Sequence, residues 1–410
     1  MYLRKLHIKN FKSYEDQEII FENLSIIVGA NASGKSSIID VFRFIQHISE
    51  YGINNALSLL GGLEYILNSN IGKEMPLSIR FEIEIPKNED KLFINPTYLI
   101  YEFEIKAHKK GSGFRIIKDI LSLSFYVEIE GDNAIVDSVY LSTPSGKIKE
   151  RIDVIEKEKY SEEDYNKIVK SVSLSQMISF LNSMEDKKEL ILNKMQFPFA
   201  VMFDYAKLIK VYDFDSKLLK KSSMISSKID LDEDGANIAL VIQRILQTKD
   251  SRQSFLTLLN NCLPFITNIK VKANYDKSIF YSITEKYSSK EFRSNFLSDG
   301  TANIIAIIIA LYFETNNRII ILEEPERNVH PKLMSKILEM AEETSNNKQI
   351  IITTHTPELI RNSNIDSILF VRRKKNGFST ISKPGTNETV LTFLKNEIGI
   401  DELFIEGLLF

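Results

Sequence analysis

Gly29-Ala30-Asn31-Ala32-Ser33-Gly34-Lys35-Ser36 is the stretch that decides how this chain is read. Two glycines separated by four residues and followed by Lys and Ser fit a phosphate-binding loop, and the surroundings give that pattern its physical meaning. Ahead of it, Leu24-Ser25-Ile26-Ile27-Val28 reads as a buried strand. Behind it, Ile38, Ile39, Val41, Phe42, Phe44, Ile45 and Ile48 cover too wide an arc for a surface helix and predict a central one from Ser36 to Ile48. Glycines at both ends let the backbone wrap so that successive N–H groups face an anion, and the helix N-terminus adds partial positive charge. Lys35 then reaches the β and γ oxygens of a nucleotide, and Ser36 offers a hydroxyl to Mg2+.

Outward from the loop, residues 1 to 28 read as short strands, alternating at Leu3, Leu6, Ile8 and Phe11. Alternating runs return at Leu77 to Ile85, Tyr98 to Ile105, Leu121 to Ile129 and Ile135 to Leu141, between Pro-, Gly- and Asn-rich turns, and predict an antiparallel sheet. From about Glu150 to Thr257 the pattern becomes mostly helical and polar, with a Lys/Glu-rich stretch from Lys147 to Lys170 and helical spacing at Ile238, Val241, Ile242 and Ile245. No heptad repeat is sustained there, so no long coiled-coil arm is expected. Past Pro264 come strands (Thr267 to Ala273, Ile279 to Thr284), a helix (Thr301 to Glu314), a strand (Arg318 to Leu322), a helix (Pro331 to Thr344) and a strand (Gln349 to Thr353). That alternation predicts a parallel sheet covered by helices, with the phosphate site at its strand ends. The expected division is 1–145, the first part of an α/β head with its antiparallel sheet; 146–257, an inserted mainly helical lobe; and 258–410, the second part of the head.

The bulk numbers exclude several classes. With 410 residues, 43% hydrophobic and 26% charged, the chain is an ordinary globular one, long enough for two compact units. A net charge of -3 leaves no global basic field, so any nucleic-acid contact must be local. The single cysteine, Cys262, lies among Leu259, Leu263 and Phe265 and reads as a core thiol in a reducing compartment. The opening alternates like a strand, without the pattern of a signal or transit peptide, and no window approaches 18 uninterrupted apolar residues. A cytoplasmic protein with no membrane partner is expected.

Other stretches gain meaning from the loop. Ile319-Ile320-Ile321-Leu322-Glu323-Glu324 is an apolar strand ending in two carboxylates. Alone it is a solvated strand end; beside a phosphate loop, one acid can hold the Mg2+ shell and the next can orient or deprotonate the attacking water. His355 follows the strand Gln349 to Thr353, where it can meet a γ-phosphate or that water, and Thr356 stands where it would cap a short helix opened by Pro357. Leu297-Ser298-Asp299-Gly300-Thr301 presents a hydroxyl and backbone N–H groups at the start of a very apolar helix, which is an anion site by construction.

The order Gly29 to Ser36, Leu297 to Thr301, Glu323-Glu324-Pro325-Glu326 and His355 resembles the ABC ATPases of the RecF, SMC and OLD group. His7-Ile8-Lys9-Asn10-Phe11-Lys12-Ser13-Tyr14 is similar to that group's N-terminal strand, and Leu297 to Thr301 to its signature loop. Within the group the chain looks most like standalone bacterial and archaeal ATPases of the AAA kind, several of which occur in phage-defence operons. The likeness covers roughly residues 1–60 and 230–410 well, and the middle in outline. It implies an α/β ABC-type (P-loop) ATPase head with a mixed or parallel core sheet, an antiparallel β subdomain and an inserted helical lobe. It also implies ATP and Mg2+ as ligands and a homodimer or higher homo-oligomer closed by nucleotide. Carried over by residue, the nucleotide set is Lys12, Gly29, Asn31, Ser33, Gly34, Lys35, Ser36 and Ser37, and the catalytic set is Lys35, Glu324 and His355. Mg2+ falls to Ser36 and Glu323. Ser298, Asp299 and Gly300 would close on the γ-phosphate held by the other subunit, and Arg327 to His330 would face that subunit. Glu323 replaces the usual aspartate, Asp299 the first signature glycine and Thr301 the usual glutamine; neither Gln46 nor Gln176 stands where a glutamine usually links nucleotide state to the lobe.

Taken together, these features point to a slow ATPase acting as a switch or sensor for a separate effector, a nuclease in an anti-phage module being the expected one. The chain carries no effector motif of its own, and Asp232-Glu233-Asp234-Gly235 reads as a turn rather than a metal loop. The alternative is a RecF-like DNA-binding repair or maintenance ATPase, with Arg372, Arg373, Lys374 and Lys375 at an Asn376-Gly377 hairpin, and Lys220-Lys221, as the contacts. A third reading is a nucleotide-binding scaffold that barely turns over. The apolar segment from Leu391 to Phe410 is expected to pack on the head.

Overall fold

Strands β1 (Tyr2–Phe11), β2 (Tyr14–Ile20) and β3 (Leu24–Val28) open the chain, and β3 is buried along its whole length, as its unbroken apolar run requires. The structure, a computed structural model, describes residues 1–86, 94–111, 113–129, 132–142, 147–183, 189–191, 209–228, 230–288, 290–314, 318–386, 388, 390 and 399–406. Most of the segment from Leu391 to Phe410 lies outside the described residues. The chain forms two units: Met1–Glu22, Ala32–Leu208 and Arg372–Ile381 make the first, and Asn23–Asn31, Ile209–Val371 and Ser382–Phe410 the second. The chain thus passes from one unit to the other inside the phosphate loop, after Asn31.

In the first unit β1 pairs with β2 and with β4 (Leu77–Glu84), and the sheet continues through β5 (Ile94–Ala107), β6 (Phe114–Ile129), β7 (Asp132–Ser142) and β8 (Ile148–Val154). All seven strands run antiparallel, in the order β2-β1-β4-β5-β6-β7-β8. The helix Lys35–Leu59 buries the whole predicted apolar arc, from Ile38 to Ile48. Phe44 meets Phe11 of β1 and Phe103 of β5, each at 6.3 Å between ring centroids, so the helix lies on the sheet and needs apolar residues around most of its girth. It kinks at Gly52, whose φ of 78° suits glycine and where a side chain would strike the Glu189 carboxylate.

In the second unit β9 (Ile209–Tyr212) is followed by a small antiparallel sheet of β10 (Ser223–Met224), β11 (Ile266–Ala273), β12 (Ser278–Glu285) and β13 (Glu291–Arg293). The strands β14 (Ile319–Glu323), β15 (Gln349–Thr354) and the start of β16 (Ile368–Arg373) then join β3 and β9 in a parallel sheet of order β16-β3-β15-β14-β9. Both faces are buried, which is why these strands read as continuous apolar runs. The helix Asp299–Ile308 is buried from Thr301 onward and runs into a wider turn at Ile309–Phe313. Cys262 packs in this core, 3.8 Å from the Met340 sulfur, and burial raises its thiol, as expected of a core cysteine.

Residues 146–257, read in sequence as one inserted lobe, are divided by the structure. β8 extends the antiparallel sheet and the helices Glu162–Val172 and Ser175–Ser183 follow it, whereas from Ile209 the chain belongs to the second unit, with β9 beside β14. A four-residue strand leaves too few residues for periodicity to register. Asp232 to Gly235 is a turn, closed by the Gly235 N–H on the Asp232 carbonyl at 3.0 Å. Among the described residues no group of three His, Cys, Asp or Glu is placed to hold a metal, and no helix is long and apolar enough to cross a membrane.

Ile320 and Ile321 point to opposite faces of β14 and both are fully buried. Ile320→Ala and Ile321→Ala are each expected to cost about 2–5 kcal/mol in denaturant titrations. A cost below about 1 kcal/mol at either position would mean that one face of the sheet is open.

Candidate nucleotide site

The first unit supplies the back half of the phosphate loop. Ala32 (φ 61°) and Gly34 (φ 121°) bend the chain into the helix Lys35–Leu59, whose N-terminus has no side-chain cap and no acid in its first turn. Fixed donors and acceptors brace the bend from behind: Tyr14 donates its hydroxyl to the Gly34 carbonyl at 3.2 Å, and Ser379 donates to the Ser33 carbonyl. A side chain at Gly34 would collide with the hydroxyls of Ser379 and Ser13, so the second glycine is required by space as well as by φ. Lys35 is buried at the helix start, Ser36 is exposed and Ser37 partly so. Ser33 Oγ is buried with no hydrogen-bond partner among the described residues. An orphan donor beside an uncapped helix N-terminus fits an anion. Lys12 (φ 46°) lies at the β1–β2 turn, with its ammonium paired to Asp40, which also takes Arg43 at 3.2 Å.

The second unit supplies the front of the loop and the acids. Parallel register sets Glu323 beside Thr353 and Thr354 beside Val28, and the Gly29 N–H donates to the Thr354 carbonyl at 3.4 Å. Three neighbouring strands therefore end together at Gly29, at Glu323-Glu324 and at His355. Glu324 leaves β14 in the left-handed region (φ 44°), with its N–H on the Thr353 carbonyl at 3.0 Å. Its carboxylate meets His355 Nδ1 at 3.1 Å and accepts from Arg327 Nη2 at 3.2 Å, while Arg327 Nη1 donates to Asp213 at 2.9 Å. Burial alone would raise the Glu324 carboxyl, but the Arg327 hydrogen bond and the His355 and Arg327 charges outweigh it and hold the group below its ordinary value.

Ser298, Asp299 and Gly300, expected to act as a signature loop, are also in the second unit. Ser298 caps its own helix by accepting the Thr301 N–H at 3.1 Å. Asp299 is ion-paired with Lys220, which lowers its carboxyl and neutralises the acid that stands in place of a glycine. A Cβ on Gly300 would lie 2.6 Å from the Asn328 carbonyl oxygen, so glycine is needed for that close approach. Asn303, one turn further on, donates to the carbonyls of Pro325 (3.2 Å) and Arg327 (2.8 Å). The signature helix and the turn after Glu324 are thus one packed piece.

Within the second unit the structure gathers Gly29, Glu323, Glu324 and His355 at one sheet edge, and the first unit places Ser33 to Ser37 around the helix start. Several contributors escaped the sequence reading. Asp213 ends the apolar strand β9 just as Glu323 ends β14, and that pattern could have exposed it. Ser379, Asn303 and Glu326 carry no such signal. Thr356 does not cap the helix Pro357–Arg361; its hydroxyl goes to Glu326 at 3.1 Å. Lys220, read as a nucleic-acid contact, is committed to Asp299.

With this geometry in place, comparison with known families gives a direct result: residues 24–361 match the family described as "AAA domain, putative AbiEii toxin, Type IV TA system". The chain belongs to that AAA family. An uncharacterized protein of Methanocaldococcus jannaschii is 27% identical to this AAA-family chain over 201 residues, 43% of this chain and 49% of its own length. The DNA replication and repair protein RecF of a Synechococcus species is 44% identical over 46 residues, 11% of this chain and 12% of its own. The AAA-family chain thus spans at most about half the length of these curated relatives. The solved structure of an Smc head bound to the C-winged helix domain of ScpA is 16% identical, with a TM-score of 0.46, over 93% of this chain and 98% of that one. The AAA-family chain thus has an α/β fold whose loop-bearing sheet is parallel.

The Glu324–Arg327 pair has a pH signature. Because the folded carboxyl is lowered, its stabilisation is present above the unfolded value and is lost as pH falls through the folded one. Arg327→Ala removes the bond that lowers it. The melting-temperature gap between wild type and Arg327→Ala is therefore expected to be widest near neutral pH and to close below about pH 4; a gap independent of pH would contradict the pairing.

Proposed function

We propose that the chain binds ATP with Mg2+, hydrolyses it slowly, and uses closure of two copies on the nucleotide to switch a separate effector protein. The observation that supports this best is the shared strand-end edge of Gly29, Glu324 and His355. In this reading Lys35 takes the β and γ oxygens, while Gly29, Asn31, Ser33, Gly34, Ser36 and Ser37 line the phosphates. Lys12 approaches them by exchanging its Asp40 partner. The hydroxyl of Ser36 and the carboxylate of Glu323 are hard oxygen donors that suit Mg2+. When bound, that ion would neutralise charge on the phosphate oxygens.

Glu324 orients the attacking water more than it strips it. An effective base titrates near the working pH, and this carboxyl is held low by Arg327 and His355. Slow turnover follows. His355 offers its imidazole to the γ-phosphate. Ser298, Asp299 and Gly300 would meet the γ-phosphate held by the other copy, and the Lys220 pair keeps Asp299 from opposing that anion. The family description names a putative toxin of a type IV toxin–antitoxin system, a two-protein arrangement that supports action with a second protein; the effector we assign is a nuclease in an anti-phage module.

A second reading, duplex DNA as a partner, is favoured by the hairpin in the first unit. The Lys374 N–H donates to the Phe378 carbonyl at 2.7 Å and Gly377 (φ 87°) closes the turn, which leaves Arg372, Arg373, Lys374 and Lys375 exposed. Lys374→Ala/Lys375→Ala is expected to weaken ATP-stimulated duplex binding and to flatten its salt dependence in anisotropy titrations. Binding by wild type that is absent, or indifferent to salt, removes this partner.

Nucleotide binding and turnover test the primary reading together. Lys35→Ala is expected to lose ATP binding in calorimetric titration. Glu324→Gln should keep ATP affinity while turnover falls by about 100-fold or more. Turnover at the wild-type rate in Glu324→Gln would remove Glu324 from the chemistry.

A further inference from the structure

We infer that Glu326 is a positioning residue for hydrolysis: it clamps Thr354 and Thr356, the two neighbours of His355, to the turn that carries Glu324, and so fixes the imidazole against that carboxylate. The inference rests on the roles proposed above for Glu324 and His355.

Glu326 Oε1 accepts hydrogen bonds from the hydroxyls of both Thr354 and Thr356. The Thr356 N–H in turn donates to Thr354 Oγ1 at 3.0 Å, which closes a ring of bonds behind His355. On its other side the turn is gripped by Asn303 through the carbonyls of Pro325 and Arg327, the residues before and after Glu326. With the backbone held from one side and the side chain from the other, the 3.1 Å approach of His355 to Glu324 has little freedom left.

Two observations exclude a second base as the role of this acid. Glu326 is only 5% exposed, so its carboxyl is turned away from bulk solvent. Its other oxygen, Oε2, is buried with no hydrogen-bond partner among the described residues, an arrangement that suits a neutral acid and penalises a carboxylate. Burial, the largest influence, accordingly pushes the carboxyl above its ordinary value. An oxygen acceptor of this length is what the clamp requires, and glutamine supplies one.

The test is steady-state ATP turnover of the full chain as wild type, Glu324→Gln, Glu326→Gln, Glu326→Ala and Thr356→Val. Glu326→Gln is expected within about threefold of the wild-type kcat, and Glu326→Ala about tenfold or more below it with KM for ATP changed less than about twofold. Thr356→Val keeps the acid and removes one clamp bond, so kcat should fall by about threefold even where Glu326→Ala does not fold. A merely structural glutamate would lower the melting temperature and leave kcat of the folded protein intact, and that outcome overturns the inference. So does Glu326→Gln losing as much as Glu326→Ala, because the charge would then be what matters. If Glu324→Gln turns over like wild type, the reading of Glu324 fails and this inference with it. If Glu324→Gln is inactive while the Glu326 and Thr356 variants match wild type, only the inference fails.

Discussion

Parallel pairing of β3, β15 and β14 is the constraint on which the chemistry of the second unit depends. Because Thr354 lies beside Val28 and Thr353 beside Glu323, three strands stop at one edge and release Gly29, His355 and Glu324 together. A slip of one residue would send every second side chain to the wrong face, and with both faces buried such a slip has no acceptable outcome. The register is fixed by apolar packing, and the polar site inherits its precision. Glu324 then takes a left-handed backbone conformation (φ 44°) that a non-glycine residue adopts at a cost of about 1–3 kcal/mol. The same outlier turns its carboxylate out of the strand and toward His355 and Arg327.

Charge is arranged around that edge with little left uncompensated. Glu324 and Asp213 share Arg327, Asp299 is matched by Lys220, and burial pushes the Glu326 carboxyl above its ordinary value. Such pairing matters where phosphate is expected, since each unpaired carboxylate would oppose the anion. It also separates the roles of two acids only two residues apart. A low-lying carboxyl held by a cation can orient a water, whereas a buried carboxyl bonded to two threonine hydroxyls fixes its neighbours.

Much of this was legible in the sequence, for physical reasons that differ by element. Long apolar runs such as Ile319–Leu322 and Ile350–Ile352 announce buried strands, and the Gly-rich loop between such a strand and an apolar helix announces a sharp bend, because few residues other than glycine adopt the backbone found at Gly34 (φ 121°). The wide apolar arc of Ile38 to Ile48 reads as a central helix, and the structure buries that helix on the antiparallel sheet. Short elements were not legible: β9 has four residues, too few for periodicity, and so the stretch 146–257 read as one lobe when the chain divides it. Interactions that depend on two distant residues were also invisible. Thr356 looks like a helix cap in sequence, and only Glu326, folded against it from 30 residues earlier, reveals its actual partner. Lys220 read as a nucleic-acid contact, and its pairing with Asp299, 79 residues away, leaves no mark in the sequence.

In the proposed mechanism Glu324 acts on an ATP held by Lys35 and enclosed between two copies of the chain. The most direct measurement is the mass of Glu324→Gln in solution by light scattering, with and without Mg-ATP. The account expects the mass to double on adding Mg-ATP and to return when nucleotide is removed, with no change for Lys35→Ala. A mass that ATP leaves unaltered in Glu324→Gln, with nucleotide bound, would contradict it.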